Sequence, residues 1–511
     1  MFERTFYRLT NFALVLFLIV CGTDLRAASG NDAKPNIVLI MCDDMGFSDL
    51  GCYGGEVRTP TIDGLAKQGL RFRTFYNNAK CEHTRASLMT GHWWHHVGAS
   101  PSVHYRQTTL AEHLSSTGYQ TWMVGKWHAG QLPIDRGFEK YYGLADGCCN
   151  FWNPGDARPG EPPPARKRVR RFYAEGKEHR PYTPESSDFY TTDNFTDEAL
   201  RWMREDRDRE KPLLLYVAFT APHYPLHASP SDIDEYRNTY RDIGWNKLRH
   251  LRFKQQQNLG VLTPNTSLSP FDLKLPSWDE ASQEDAKADH WDLRMATYAA
   301  MITRMDSAIA RLMDGLKECV DMENTLILFL SDNGACEDSL DRSTVAGSMP
   351  WEVTSYLTQG RPWAAASNTP FRGYKTTLRE GGVRTPMIAV WPKHIPAGTW
   401  TNQTGHIVDV VPTALDLAGI RVPETMAGRS LKANLKVPEV EPQNRELFWH
   451  FRNERALRNG SWKLYSSGKE KWSLYDLASD PTEINDVAEA QPQLVSKMAK
   501  RWQEISDQPD P

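Results

Sequence analysis

At 511 residues, with 40% hydrophobic and 24% charged side chains, the chain has the composition of a folded globular protein. Sixty Lys and Arg against sixty-four Asp and Glu leave a formal charge of −4, so no global field is available to hold a nucleic acid or an anionic membrane surface. Eight cysteines are too sparse for a disulfide scaffold at this length, and the core must hold the fold.

The first predicted element is a signal peptide over 1–28. Arg4 and Arg8 precede an apolar stretch at 12–21 (FALVLFLIVC), which ends ahead of the small residues Ala27, Ala28 and Ser29. The stretch is about half the length of a spanning helix, so export to the periplasm or the medium is expected and integral membrane association is not. Residues 34–437 are expected to form the main domain. Apolar runs without alternation occur at 36–41 (NIVLIM), 120–124 (QTWMV), 213–219 (LLLYVAF), 326–330 (LILFL) and 387–390 (MIAV), the pattern of strands covered on both faces. Between them lie helical periods, the clearest being Met295, Ala299, Ile302, Met305, Ile309, Leu312 and Leu316. The predicted class is therefore α/β, with a large mixed, mostly parallel sheet flanked by helices.

Three stretches, 156–187, 229–288 and 337–370, have the composition of insertions. The basic run 166–171 in the first could support polyanion binding, but a charge run in a Pro-rich insert is more often a solvated hairpin. From 438 to 511 the texture changes to aromatic strands at 447–451, 462–465 and 472–477 and an amphipathic helix near 493–505, which predicts a small antiparallel C-terminal subdomain.

Each predicted inner strand is followed by residues unsuited to a core: Asp43 and Asp44, then Lys126 and His128, then His223, then Asp332 and Asn333. In an open α/β sheet the crevice beyond the carboxyl ends of the strands is where ligands bind. Four hard oxygen donors from two strand ends, without His/Cys spacing, suit calcium or magnesium. Lys126, His128 and His223 suit a substrate whose negative charge grows on a leaving oxygen. The run 81–91 (CEHTRASLMTG) adds a potential nucleophile, Cys81, with Arg85 four residues on, at a helical start whose free N–H groups favour an anion.

These motifs resemble the type I sulfatases of the alkaline-phosphatase superfamily from residue 35 to the C-terminus. The family signature C-x-P-S-R-A-x-L-L-T-G is similar to 81–91, and G-Y-x-T-x-x-x-G-K-W-H is matched without a gap at 118–128. The runs NIVLIMCDDMGFSDLGCYG, APHYPL, SDNG and YKTTLREGGVRTP occur in the family's order. The resemblance implies an alkaline-phosphatase-like fold and hydrolysis of aryl or carbohydrate sulfate esters. It implies a formylglycine made from Cys81 by a maturase, whose hydrated diol is the nucleophile. It also implies one divalent cation, usually calcium, on Asp43, Asp44, Asp332, Asn333 and the modified residue 81. Arg85 and Lys126 would hold the diol, and His128 would take the proton from its second hydroxyl and so expel sulfate. His223 and Lys375 would bind the sulfate and protonate the departing alcohol or phenol. Maturases of this family generally read C-x-P-x-R or C-x-A-x-R, whereas this chain has His83 at that position and Glu82 before it. Two other readings stand beside this one: a phosphonate or phosphodiester hydrolase of the same superfamily, and a non-catalytic binder of sulfated ligands that keeps Cys81 as a thiol.

Overall fold

The central sheet grows outward from the apolar run at 36–41. In the computed structural model, which describes residues 34–97, 106–272, 274–439 and 443–508, all five expected runs are strands. The expected signal peptide lies outside the described residues. In chain order the large sheet comprises β1 (Asn36–Cys42), β2 (Leu70–Tyr76), β3 (Gln120–Gly125), β4 (Lys140–Leu144), β5 (Phe172–Ala174), β6 (Lys177–His179), β7 (Leu213–Ala218), β8 (Thr325–Ser331), β9 (Met387–Val390) and β10 (Thr399–His406). They hydrogen-bond in the order β10-β2-β9-β8-β1-β7-β3-β4-β5-β6. The run β8-β1-β7-β3-β4 is parallel; β9 is antiparallel to both neighbours, and β5–β6 is an antiparallel hairpin at one edge. The architecture is the expected mixed, mostly parallel sheet.

Every residue of β1, β3, β7 and β8 is buried because both faces are covered. Successive side chains alternate between the faces. Val38 and Ile40 join a core with Met295, Ala299, Ile302 and Ile309 of the helix Asp285–Cys319, whereas Ile37, Leu39 and Met41 pack with Leu88, Leu110 and Val411 on the other side. The predicted stripe on that helix is buried throughout.

The insertions are more ordered than their composition suggests. Residues 229–288 carry the helix Thr239–Asn258, whose buried face mixes Tyr240, Trp245 and Leu248 with Arg249 and Arg252, so no clean apolar period shows. The first insertion supplies β5 and β6, and the third carries the helix Arg361–Ser367.

The C-terminal sheet is a meander of β11 (Glu446–Phe451), β12 (Glu454–Asn459), β13 (Trp462–Ser467) and β14 (Ser473–Asp476). One face takes Met498, Trp502 and Ile505 of the helix Pro492–Ser506; the other packs Leu447, Trp449 and Tyr465 against Tyr76, Leu378 and Val383.

Candidate active site

β1 and β8 are parallel neighbours in register, with Cys42 opposite Ser331, so Asp43-Asp44 and Asp332-Asn333 emerge at one level. The amide of Asp44 donates to Asp332 Oδ1 (3.3 Å), and Asp44 holds a left-handed φ of 64°, a conformation Asp tolerates better than most residues. Two strands away, β3 ends at Gly125 (φ 98°), where a Cβ would stand 2.0 Å from Ala218 O. Only glycine lets β3 approach β7 so closely and still turn Lys126 into the crevice. His223 follows β7, and Lys375 enters from a loop whose amide donates to Ala335 O.

The helix Cys81–Thr90 starts inside this crevice. Cys81 Sγ lies 3.4 Å from His128 Nδ1, and His128 Nε2 lies 3.2 Å from Glu82 Oε2. One turn on, Arg85 binds Asp332 Oδ2 through Nε (3.0 Å) and Nη2 (2.8 Å) and donates to the Lys126 carbonyl. Lys126 Nζ sits 2.5 Å from Asp43 Oδ2, Lys375 Nζ 2.5 Å from Asp44 Oδ1, and His223 Nε2 3.4 Å from Asp44 Oδ2. Asn333 Nδ2 donates to Asp44 Oδ1 at 2.6 Å. All ten residues expected at the site, Asp43, Asp44, Cys81, Arg85, Lys126, His128, His223, Asp332, Asn333 and Lys375, thus converge, and none is more than 6% exposed.

Burial and charge set their protonation. Burial raises the Asp43 carboxyl, and Asp332 adds to the rise. Burial would raise Asp44 as well, but His223 and Lys375 pull it far down. Against burial, Lys126 and Lys375 bring the Cys81 thiol down to about 6. Burial, reinforced by neighbouring lysines, keeps His128 and His223 well below the usual imidazole range, so His128 is neutral at pH 7.

Three buried acceptor oxygens, Asp43 Oδ1, Asp44 Oδ2 and Asn333 Oδ1, have no hydrogen-bond donor, the long approach of His223 to Asp44 apart. Uncompensated buried oxygens of this kind are costly. One ligand atom each from Asp43, Cys81 and Asp332 lie within 4.8 Å of one another, as do those from Asp43, Asp44 and His223. Hard, partly anionic and clustered, these donors fit a divalent cation such as calcium or magnesium.

Sequence reasoning missed Glu82 as a partner of His128; its position beside Cys81 was the one available signal. His83 is an aromatic plug. Its ring stacks on Trp94 (3.6 Å, 1°) and meets Phe451 edge-on, and burial lowers it to about 3. Nearby, Trp449 Nε1 donates to Asn77 O (2.7 Å), so β11 braces the approach to Cys81.

The sequence model of the Sulfatase family matches residues 35–420, and that of the N-sulphoglucosamine sulphohydrolase C-terminal region matches 374–508. The chain is 30% identical over 445 residues to the arylsulfatase of Klebsiella aerogenes, covering 81% of this chain and 92% of that one. Among solved structures it is similar to Ps i-CgsB in complex with k-i-k-neocarrahexaose, with 26% identity, a TM-score of 0.67 and 93% of each chain covered. It also shares its fold with BT4656 in complex with D-glucosamine-2-N,6-O-disulfate, at 22% identity and a TM-score of 0.63, covering 93% of this chain and 99% of that one.

Proposed function

Because this chain belongs to the type I sulfatase family of the alkaline-phosphatase superfamily, we propose that it hydrolyses aryl or carbohydrate sulfate esters with a formylglycine made from Cys81 and one divalent cation. The observation that carries this reading is the set of orphaned buried oxygens on Asp43, Asp44 and Asn333 beside the Cys81 side chain. With Asp332 and residue 81 they would hold the cation, which supplies Lewis acidity toward a sulfate oxygen and acidifies a bound hydroxyl. The modified residue 81 would supply the nucleophilic oxygen.

The chain's own residues divide the remaining work. His128, neutral and with Nδ1 toward residue 81, would accept a proton there, and Glu82 on Nε2 would keep the ring oriented. Arg85 would hold Asp332 in place. Lys126 and Lys375, buried cations kept charged by Asp43 and Asp44, would bind the sulfate oxygens. His223 and Lys375 would shield and protonate the leaving oxygen. Export and modification by a maturase complete the reading; no helix among the described residues is long and apolar enough to cross a membrane.

Peptide mass spectrometry at residue 81, alongside turnover of 4-nitrophenyl sulfate, tests the proposal. Formylglycine together with turnover is the expected result. Robust turnover by the unmodified thiol would overturn the mechanism. A thiol with no turnover, despite a competent maturase, would make the protein a binder of sulfated ligands.

A further inference from the structure

A buried arginine, Arg170, adjoins a run of backbone hydrogen bonds that begins at His128 in the reaction centre. The amide of His128 donates to Ala145 O (3.2 Å), and that of Ala145 to Arg171 O (3.0 Å). Arg171 is itself tied to Asp146 through its amide (2.8 Å) and Nε (3.0 Å). Residues 144–148 therefore run between the turn carrying His128 and the start of β5. Gly147 closely approaches the imidazole: a Cβ there would stand 2.9 Å from His128 Cε1. The next side chain, Cys148, receives Arg170 Nη2 on its sulfur at 3.3 Å. The Tyr356 hydroxyl lies 4.0 Å from the same sulfur, Tyr356 faces Tyr224 at 5.9 Å between ring centroids, and Tyr224 lies 4.2 Å from the ring of His223. Arg170 is thus linked to both histidines of the site, by Gly147-Cys148 on one side and by Tyr356-Tyr224 on the other.

Its charge balance does not match its burial. Arg170 is 7% exposed, in the basic run expected to be solvated. A guanidinium withdrawn from water needs a carboxylate and a full set of acceptors to offset its desolvation. Arg85 has Asp332 and Arg171 has Asp146. Among the described residues Arg170 has no carboxylate: it touches the weak sulfur acceptor of Cys148, and its Nη1 is buried with no acceptor at all. Cys148 and Tyr224 are only half-buried, so solvent reaches the groups that connect Arg170 to the site. What Arg170 lacks is a planar or tetrahedral oxyanion, which its donor fork fits.

Resting on the sulfatase reading above, we infer that Arg170 recognises a second anionic group, a sulfate or a carboxylate, carried by the substrate beside the ester that is cleaved. The preferred substrate is then a carbohydrate bearing at least two negative charges, with the Tyr224 ring offering a face to the sugar between them.

The test is calorimetric titration of the full-length chain in a Cys81→Ala background, so that no ligand is hydrolysed. D-glucosamine 2-N,6-O-disulfate is compared with N-acetyl-D-glucosamine 6-sulfate, which lacks the second charge. The disulfate should bind at least about tenfold more tightly, the scale of one charge-assisted hydrogen bond. Arg170→Gln should collapse that ratio to below about threefold, and Arg170→Lys should restore part of it. Melting of Arg170→Gln separates recognition from scaffolding: removing an uncompensated buried charge leaves Tm equal or higher, whereas losing a structural arginine lowers it. No preference in the Arg170-containing protein, or equal weakening of both ligands by Arg170→Gln, overturns the proposal. Turnover of 4-nitrophenyl sulfate by the unsubstituted protein is read separately. Turnover without a preference for the disulfate defeats the role of Arg170 alone, and preference with no release of sulfate from either 4-nitrophenyl sulfate or the disulfate upholds that role while defeating the reaction assigned above.

Discussion

Lys463 Nζ lies 2.7 Å from Glu380 Oε1, and solvent reaches neither side chain. The same ammonium is 3.0 Å from Glu483 Oε1, so one cation on β13 joins two buried carboxylates. Glu380 stands five residues beyond the lysine that meets Asp44, and the contact ties the small sheet to the loop that completes the site. Replacing Lys463 by Met takes the shared cation from Glu483 and leaves Glu380 with Arg384 alone, and a loss of about 3–5 kcal/mol in urea denaturation is expected. Burial would raise the Glu380 carboxyl, but Lys463 and Arg384 hold it below its ordinary 4.5. A depressed carboxylate stabilises the fold above its unfolded pKa, and that stabilisation disappears as pH falls through the folded value. The gap between the two proteins should therefore narrow as pH falls below that ordinary 4.5. A pH-independent gap would show that Lys463 acts by packing alone.

Asp43→Ala removes one orphaned oxygen and the partner of Lys126. Calcium content measured by elemental analysis should drop, with turnover reduced by about three orders of magnitude, a typical cost of disabling a principal electrostatic element. Chelation of the unsubstituted protein should lower its Tm as well, since a ligand held at a hundred times its Kd contributes about 2.7 kcal/mol. Retention of full metal and activity by Asp43→Ala would exclude this residue from the cation site.

His223→Ala should discriminate between leaving groups. Losing proton transfer costs about 10²–10⁴ where the leaving oxygen is a basic alcohol, and far less for an activated phenol. A plot of log kcat/KM against leaving-group pKa should be steeper for the variant. Parallel lines would reduce His223 to sulfate binding.

His83→Pro exchanges a stacked ring for the residue common at this position of the family motif. Proline is tolerated in the first helical turn, where the amide has no intrahelical acceptor to lose. Formylglycine content at residue 81, measured by peptide mass with a maturase co-expressed, should be equal or higher. Stability should fall by roughly 1 kcal/mol as the Trp94 stack is lost. A fall in formylglycine would mean that His83 itself is part of what the maturase reads.

The inner strands were legible because strands covered on both faces carry almost nothing but apolar residues. β2 was hidden because Arg71 and Arg73 alternate with its apolar residues; both guanidiniums lie over the Trp400 ring, at 4.0 and 5.1 Å, a partner more than three hundred positions away. β12 (ERALRN) escaped for the same reason. The strand-end residues of the site were legible because neighbouring parallel strands in register deliver their next residues to one level of the crevice. Glu82 could not be read, since its meaning depends on where His128 turns. Within the run 166–171, nothing local distinguishes the buried Arg170 from the exposed Lys167, Arg168 and Val169.

The brace that β11 places beside Cys81 also sets an order in time. Trp449 holds the Asn77 carbonyl and Phe451 meets His83, yet 368 positions separate Cys81 from Trp449 in the chain. At about 5–20 residues per second, the ribosome delivers Trp449 roughly 20–70 s after the cysteine. Throughout that interval the thiol belongs to an unfinished chain and is within reach of a modifying enzyme. In the finished fold 2% of its surface remains outside, so an enzyme that must grip residue 81 would have to act before the fold closes.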